Sequence, residues 1–159
     1  MYKAKVSEIY NYDKKKNLNI LIVDDDQEAS KYFKKILEMR GHTVITLDEG
    51  IRCVSKCLDN HYDIIFMDYH IEDINGDEVT TIIKDDYSNK SQVFAYTGDK
   101  SDDAIESFKQ SGMSGAIIKP INMDLFDEVM TTLERDCVEL DKPLLKRISR
   151  RSRGNILVF

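Results

Sequence analysis

Five short apolar runs alternate with five longer segments of helical spacing between residues 18 and 138, and this order constrains the fold most strongly. The runs at 18–23 and 63–67 are almost wholly apolar, which is typical of strands buried on both faces. Right-handed strand-helix-strand connections then leave few arrangements besides a parallel sheet with helices on both sides. The sequence therefore predicts an α/β fold, a doubly wound five-stranded parallel sheet with five helices. The other three predicted strands are 43–47, 92–96 and 116–118.

The predicted helices are marked by their spacing and by the residues that border them. Apolar residues recur every three or four positions in the first, and Gly41 follows it where a helix end favours a left-handed residue. The pair Asn75-Gly76 is a turn signal before the third helix. The five predicted helices are 27–40, 51–58, 77–84, 101–111 and 122 to about 138.

Strong polar groups follow the strands at the point where each strand ends. Ligands of open α/β sheets bind outside the carboxyl ends of the strands, and these ends meet at one rim of the sheet. The sequence therefore predicts a single site at this rim. Its members are Asp24, Asp25, Asp68, Thr97 and Lys119.

The three predicted carboxylates need a cation between them. Carboxylates within a few ångströms raise one another's pKa unless their charge is neutralised, and Mg²⁺ prefers such oxygen ligands. An aspartate oxygen can also attack phosphorus if cations and donors balance the charge of the transferring group. Asp68 is the candidate nucleophile, and the ammonium of Lys119 and the hydroxyl of Thr97 are the candidate partners of the phosphoryl oxygens.

These motifs, taken together and in order, resemble the receiver domains of two-component signalling, which have a flavodoxin-like fold. The resemblance covers about residues 18–138, and an interval of 22 residues separates Thr97 from Lys119. Each motif alone is weak, whereas five in the correct order on the correct strand ends form a strong joint signal. They are Val23-Asp24-Asp25-Asp26, Phe66-Met67-Asp68, Asn75-Gly76, Ala95-Tyr96-Thr97-Gly98 and Lys119-Pro120.

The resemblance implies a function and a role for each site residue. Asp68 would accept a phosphoryl group from a phosphohistidine on a histidine kinase or a histidine phosphotransfer protein, and would lose it by hydrolysis. The chain would then signal through contacts with a downstream protein and would not be an enzyme towards other substrates. Thr97 would move towards the phosphoryl group, and a cis Lys119-Pro120 bond would help to aim the lysine. Mg²⁺ would be held by Asp24, Asp25, Asp68 and the backbone carbonyl of His70.

The chain departs from the family pattern near the site. Ile71-Glu72 replaces a usual Met-Pro pair, which removes a rigid turn and adds a carboxylate. Ala116 stands where bacterial regulators commonly have an aromatic residue, so activation must be transmitted by another route than the swing of a ring. His70 and Asp99 lie at positions that tune the phosphoryl lifetime in the family.

Two other functions compete with a working receiver. A pseudo-receiver would keep the fold and signal by constitutive contacts without phosphorylation, and Ala116 and Glu72 support it. A haloacid-dehalogenase-like phosphatase would use Asp24 as its nucleophile, because Asp24-x-Asp26 after an apolar strand suits that family. It would need an acidic pair at a strand end after the lysine, whereas Asp124 and Asp127 fall in the last predicted helix.

Charge is unevenly distributed along the 159 residues. Residues 18–141 contain 27 acidic and 12 basic residues, while residues 142–159 contain six basic residues and no acidic one. We therefore expect a basic N-terminal extension at 1–17, a receiver domain at 18–140 and a basic C-terminal tail at 141–159. The tail is compatible with contact with nucleic acid or an anionic surface and with a localisation signal, and also with a disordered segment or one that docks on its own acidic body.

Composition also bears on the compartment. The first twenty residues lack the apolar core of a secretory signal, and no run approaches the length of a membrane span. Three cysteines are an odd number in a chain of sufficient size to fold without disulfides. We expect a reducing, cytoplasmic location.

Overall fold

The six strands of the molecule form a single sheet with the order β2-β1-β3-β4-β5-β6. The structure is a computed structural model that describes residues 16–86 and 88–159. The strands are β1 (Asn19–Val23), β2 (Thr43–Leu47), β3 (Ile64–Met67), β4 (Gln92–Thr97), β5 (Gly115–Ile118) and β6 (Ile156–Val158). The first five are parallel, which confirms the predicted doubly wound α/β fold. The number of strands is six and not the predicted five, because β6 adds an antiparallel strand at the β5 edge.

Helices cover both faces of the sheet. Side chains alternate between the faces along a strand, and in β1 Ile20 and Ile22 enter one core while Leu21 and Val23 enter the other. The first core is closed by α1, α5 and α6, and the second by α2, α3 and α4. The helices of the described chain are α1 (Gln27–Met39), α2 (Gly50–Asp59), α3 (Gly76–Asp85), α4 (Asp102–Ser111), α5 (Met123–Arg135) and α6 (Lys142–Arg151).

Helix α5 ends at Arg135, three residues before the predicted end. The side chain of Asp136 explains the difference. Its Oδ1 atom accepts hydrogen bonds from the backbone N–H groups of Val138 and Glu139, both at 3.0 Å. Such local side-chain bonds offer the backbone an alternative to the helix, so the chain turns here and leads into α6.

The basic segment predicted as a tail is folded onto the receiver body. Asp141 caps α6 by accepting the N–H group of Leu144 at 3.0 Å, and Leu145 and Ile148 are buried in the first core. The chain then returns as β6 along β5. The body contributes an acidic partner to this basic segment, because Glu128 on α5 forms an ion pair with Arg151 on α6. The predicted boundary between residues 140 and 141 stays a prediction.

Two small residues on β5 border the backbone of β6. A Cβ atom at Gly115 would lie 2.3 Å from the carbonyl oxygen of Leu157, so glycine permits the close approach of the two strands. Ala116 is fully buried and is paired with Leu157. The position at which bacterial regulators commonly have an aromatic residue is therefore a small, buried residue on the strand that pairs with β6.

A buried polar network ties the beginning of the sheet to α5. The N–H group of Leu18 donates to Nδ1 of His42 at 3.1 Å, so the ring proton lies on Nε2, which donates to Oε1 of Glu134 at 2.8 Å. Arg40 also donates to Glu134, through Nε at 2.8 Å and through Nη2 at 3.1 Å. The nearly buried carboxylate of Glu134 thus has two cationic or hydrogen-bonding neighbours from the α1–β2 connection.

Most of the predicted N-terminal extension at 1–17 lies outside the described residues. Within the described part, the backbone N–H group of Lys16 donates to the carbonyl of Glu134 at 3.1 Å. Within that same part, no helix has both the length and the apolar character that crossing a membrane requires.

Candidate functional site

Three aspartates meet at the carboxyl ends of β1 and β3. Asp24 and Asp25 follow β1, and Asp68 follows β3, which is hydrogen-bonded directly to β1. One carboxylate oxygen from each lies within 4.8 Å of the others. The three carboxylates that the sequence predicted as neighbours are therefore brought together by the parallel register.

Lys119 lies among these carboxylates. It follows β5, where its backbone N–H group donates to the carbonyl of Thr97 at 2.9 Å, and the Lys119-Pro120 bond is cis. Its Nζ atom lies 2.7 Å from Oδ2 of Asp24 and 3.9 Å from Oδ2 of Asp68. The ammonium therefore neutralises part of the negative charge of the cluster.

The two neighbouring aspartates after β1 have different environments. The carboxylate of Asp24 is buried, and its Oδ1 atom accepts the N–H group of Asp26 at 2.9 Å while Oδ2 contacts Lys119. Asp25 is exposed to solvent. Asp26 caps α1 by accepting the N–H group of Ala29 at 3.1 Å. Asp24 is thus held by the protein, whereas Asp25 is open to solvent.

The environment of Asp68 changes its acidity. Burial raises the pKa of its carboxyl to about 6, Lys119 opposes the rise, and the charge of Asp24 adds to it. The N–H group of Tyr69 donates to Oδ1 of Asp68 at 2.8 Å and also favours the ionised form. With a pKa of about 6, Asp68 is largely ionised at neutral pH, although burial opposes its ionisation.

Thr97, His70 and Asp99 are joined by hydrogen bonds at the carboxyl ends of β3 and β4. The hydroxyl oxygen of Thr97, which is buried at the end of β4, accepts the N–H group of Asp99 at 3.2 Å. Nε2 of His70 lies 2.8 Å from Oδ2 of Asp99. Hydrogen bonds from Ser101 and from His70 lower the pKa of Asp99 to about 2. The hydrogen bond between His70 and Asp99 thus joins the loop after β3 to the loop after β4.

The loop after Asp68 is tied to the beginning of α2 by Asp73. The two carboxylate oxygens of Asp73 accept the N–H groups of Gly50 and Ile51, at 2.9 and 3.0 Å, at the beginning of α2. Desolvation raises the pKa of Asp73 and these hydrogen bonds lower it, with a lowered pKa as the result. A Cβ atom at Gly76 would lie 2.0 Å from the carbonyl oxygen of Asp68, so α3 begins directly against the site.

The geometry agrees with a family assignment from sequence comparison. A model of the response regulator receiver domain matches residues 20–131, which is most of the chain. The chain belongs to this family. The resemblance to receiver domains that the five motifs indicated is thereby confirmed.

Relatives of this receiver domain include both small and large proteins. The polar-differentiation response regulator DivK of Brucella ovis is 29% identical over 118 residues, which are 70% of this chain and 92% of DivK. The CAI-1 autoinducer sensor kinase/phosphatase CqsS of Vibrio cholerae is 29% identical over 109 residues, or 67% of this chain. The chain spans only 16% of CqsS, and 19–20% of the transcription factor SKN7 from two yeasts, Candida albicans and Saccharomyces cerevisiae.

Solved structures share the fold of this receiver domain. The receiver domain of Ssk1 from Saccharomyces cerevisiae, in complex with the histidine phosphotransfer protein Ypd1, belongs to a matching structure with a TM-score of 0.70. The match has 19% identity and covers 79% of this chain and 94% of the other. A two-component response regulator from Clostridium difficile matches with a TM-score of 0.66 and 24% identity, over 83% of this chain and 98% of the other.

The residues of this receiver domain fit a hard divalent cation. Three carboxylates converge on one point, and Mg²⁺ prefers oxygen ligands while it keeps several waters. Within the described residues, this is the one group of three or more acidic, histidine or cysteine side chains with that spacing. The acidic pair that a phosphatase based on Asp24 would need is absent from the rim, since Asp124 and Asp127 lie on α5, where Asp127 pairs with Arg40.

Tyr96 and Asp73 have contacts at the site that were not predicted from the sequence. Tyr96 belongs to the motif Ala95-Tyr96-Thr97-Gly98. The feature that could have drawn attention to it is a tyrosine in an otherwise apolar strand, next to the rim of the sheet. Asp73 follows the unusual Ile71-Glu72 pair, and a carboxylate in a short loop before a helix is the signal of a capping residue. Tyr96 contacts the ammonium of Lys119, and Asp73 binds the N–H groups of Gly50 and Ile51. These partners lie far away in sequence, so residue spacing does not indicate the contacts.

Proposed function

We propose that this receiver domain accepts a phosphoryl group on Asp68 from a phosphohistidine donor and signals through protein contacts. The donor is a histidine kinase or a histidine phosphotransfer protein. The proposal rests mainly on the convergence of Asp24, Asp25 and Asp68 with the ammonium of Lys119. A structural neighbour, the Ssk1 receiver, is bound to a histidine phosphotransfer protein, which supports this class of partner.

The transfer requires one bond to form and one to break. An oxygen of Asp68 forms the bond to phosphorus while the bond from phosphorus to the donor nitrogen breaks, and its electron pair stays on the imidazole. Asp68 is suited to this step because it is largely ionised at neutral pH and partly buried. Hydrolysis of the resulting acyl phosphate would return the carboxylate, so the chain acts on its own phosphoryl group and not on a separate substrate.

Cations and donors must balance the charge of the transferring group. The carboxylates of Asp24, Asp25 and Asp68 and the backbone carbonyl of His70 would hold Mg²⁺, which supplies charge neutralisation when bound. Lys119 is close enough to Asp68 to reach a phosphoryl oxygen after its side chain leaves Asp24. The hydroxyl of Thr97 can still donate a hydrogen bond, although its oxygen accepts one from the backbone N–H group of Asp99.

The mass of the intact protein tests the proposal. The protein is incubated with phosphoramidate or acetyl phosphate, with and without Mg²⁺, beside an Asp68→Asn variant. We expect a gain of one phosphoryl group that needs Mg²⁺, disappears with hydroxylamine and is absent from the variant. A gain that persists in Asp68→Asn would place the acceptor elsewhere.

A pseudo-receiver is the second candidate, and the small side chain of Ala116, buried on the strand that pairs with β6, favours it. Without an aromatic ring at this position, the surface around β5 must change by other means if it is to report phosphorylation. A pseudo-receiver would show no gain in mass with either small donor or with a phosphorylated histidine phosphotransfer protein. It would bind its target equally with and without a phosphoryl donor.

A further inference from the structure

The ammonium of Lys119 has a second neighbour that is not a carboxylate. Its Nζ atom lies 4.5 Å from the centroid of the Tyr96 ring. Tyr96 is buried at the end of β4, directly before Thr97, with 7% of its surface exposed. A cation within about 6 Å of an aromatic face is attracted by the ring quadrupole, and the attraction is strongest where water is excluded.

The Tyr96 ring is fixed in orientation by other rings. It stacks on Phe33 of α1, with centroids 4.5 Å apart and planes 25° apart. Phe33 in turn contacts Phe66 edge-on at 4.9 Å and Phe126 at 5.5 Å. Because these four rings hold one another in the first core, the face that Tyr96 presents to Lys119 is built into the fold rather than adopted by chance.

The ring also keeps a neutral hydroxyl. Burial raises the pKa of Tyr96 to about 12, and the charges of Asp24 and Asp68 add to the rise. The ring is therefore a neutral π face at neutral pH, and it does not compete as a ligand for a divalent cation.

We propose that Tyr96 is a positioning residue, which holds the Lys119 ammonium beside Asp68 by a cation–π contact when Asp24 is engaged by another cation. The inference rests on the proposed phosphorylation of Asp68. Asp24 is the close polar partner of Lys119, and it is also a member of the carboxylate cluster that fits Mg²⁺. Lysine has four flexible bonds, so an ammonium that loses this partner would otherwise sample many positions.

Three variants distinguish the contribution of the Tyr96 ring face to the phosphorylation rate from the contributions of its hydroxyl and of core packing. Tyr96→Phe keeps the face, Tyr96→Leu removes it, and Phe94→Leu removes a different buried ring from the same strand and the same core. The rate of phosphorylation by phosphoramidate at saturating Mg²⁺ is measured by intact mass. We expect Tyr96→Phe and Phe94→Leu to stay within about threefold of wild type and Tyr96→Leu to be about tenfold slower.

Stepwise fluorination tests the electrostatic origin of the effect. Phenylalanine, 3,5-difluorophenylalanine and 3,4,5-trifluorophenylalanine at position 96 have nearly the same shape, while their faces become steadily less negative. We expect the logarithm of the rate to fall steadily along the series. A flat series, or a loss in Tyr96→Leu no greater than that in Phe94→Leu, would overturn the proposal.

A labelling measurement distinguishes failure of this inference from failure of the proposed function. Acetic anhydride modifies accessible amines, and peptide mass spectrometry gives the labelling rate of Lys119 in the Mg²⁺-saturated protein without any phosphoryl donor. We expect labelling at least threefold faster in Tyr96→Leu than in wild type or Tyr96→Phe. Equal labelling rates would overturn the inference, whereas a wild-type protein that gains no phosphoryl group would overturn only the proposed function.

Discussion

The Nζ atom of Lys119 lies 2.7 Å from Oδ2 of Asp24, inside the cluster of carboxylates that would hold a metal ion. The lysine therefore takes part of the charge-balancing role of a divalent cation. A cation that binds to this cluster must compete with the ammonium for Asp24, and the two positive charges repel each other at this short range.

Removal of the lysine charge should strengthen cation binding. We expect Lys119→Met to bind Mg²⁺ roughly tenfold more tightly than wild type at pH 8, since an adjacent like charge costs on the order of 1 kcal/mol or more at a partly solvated site. Isothermal titration calorimetry measures the affinity. Lys109→Met, on the exposed surface of α4, changes the net charge equally and should bind as wild type does. Equal or weaker binding by Lys119→Met would contradict the competition.

Asp68 should make the metal-free protein less stable as the pH rises. The folded protein binds the Asp68 proton more tightly than the unfolded chain, because the pKa is raised from 3.8 to about 6. The contribution of Asp68 to stability is therefore complete below about pH 4 and is lost as the pH rises through about 6. In the presence of a chelator, we expect Asp68→Asn to be more stable than wild type by about 1–2 kcal/mol at pH 7.5.

Urea denaturation at both pH values checks this sign. The two proteins should differ little in free energy of unfolding at pH 4, because this pH lies close to the pKa of 3.8 of Asp68 in the unfolded chain and well below the pKa of about 6 in the folded protein. A wild-type protein that gains stability relative to Asp68→Asn between pH 4 and pH 7.5 would show that Lys119 outweighs burial.

The carboxylate of Glu134 should be a major determinant of stability. Glu134→Ala leaves Arg40 and the Nε2 proton of His42 without their buried acceptor, and we expect a loss of about 3 kcal/mol in the free energy of unfolding. Asp127→Ala removes another carboxylate that contacts Arg40, but one whose side chain is 55% exposed, and should cost less than about 1 kcal/mol. Equal losses in the two variants would contradict the importance of burial.

The contact between β5 and β6 should be sensitive to a single methyl group. Gly115→Ala places a Cβ atom against the carbonyl of Leu157, so β6 must move away. We expect faster hydrogen exchange at the N–H groups of Ile118 and Phe159, which donate to Asn155 and Ser114 across the two strands. A Cβ atom at Gly98 meets nothing within 4 Å, so Gly98→Ala should leave these exchange rates unchanged. Unchanged rates in Gly115→Ala would show that β6 is not held at this register.

The first five strands and the rim were predictable because they depend on patterns that are local in sequence. Short apolar runs indicate the strands, and parallel connections bring their carboxyl ends together, so Asp24 and Asp68 could be placed side by side without coordinates. The sixth strand could not be predicted in the same way. Ile156–Val158 is too short to have a pattern, and its position depends on the backbone of Gly115, about forty residues earlier.

The contact of Lys119 with Tyr96 was unpredictable for a different reason. The two residues are separated by 23 positions, and the contact depends on the rotamer of a flexible lysine and on the stacking of Tyr96 against Phe33. The alternation of a strand indicates which face a side chain occupies, but it does not indicate how a long side chain bends at the end of the sheet.

Ser149 of α6 and Ser152, which follows the helix as its C-cap, bind the outer edge of the last strand. An unpaired strand edge is a template for edge-to-edge aggregation, and β5 would present such an edge without β6. The N–H group of Ile156 donates to Oγ of Ser152, and its carbonyl accepts the hydroxyls of Ser149 and Ser152. The first residue of the new edge is thus already hydrogen-bonded within the molecule. A strand of a second copy would find fewer open backbone groups there than on the edge of β5 that β6 covers.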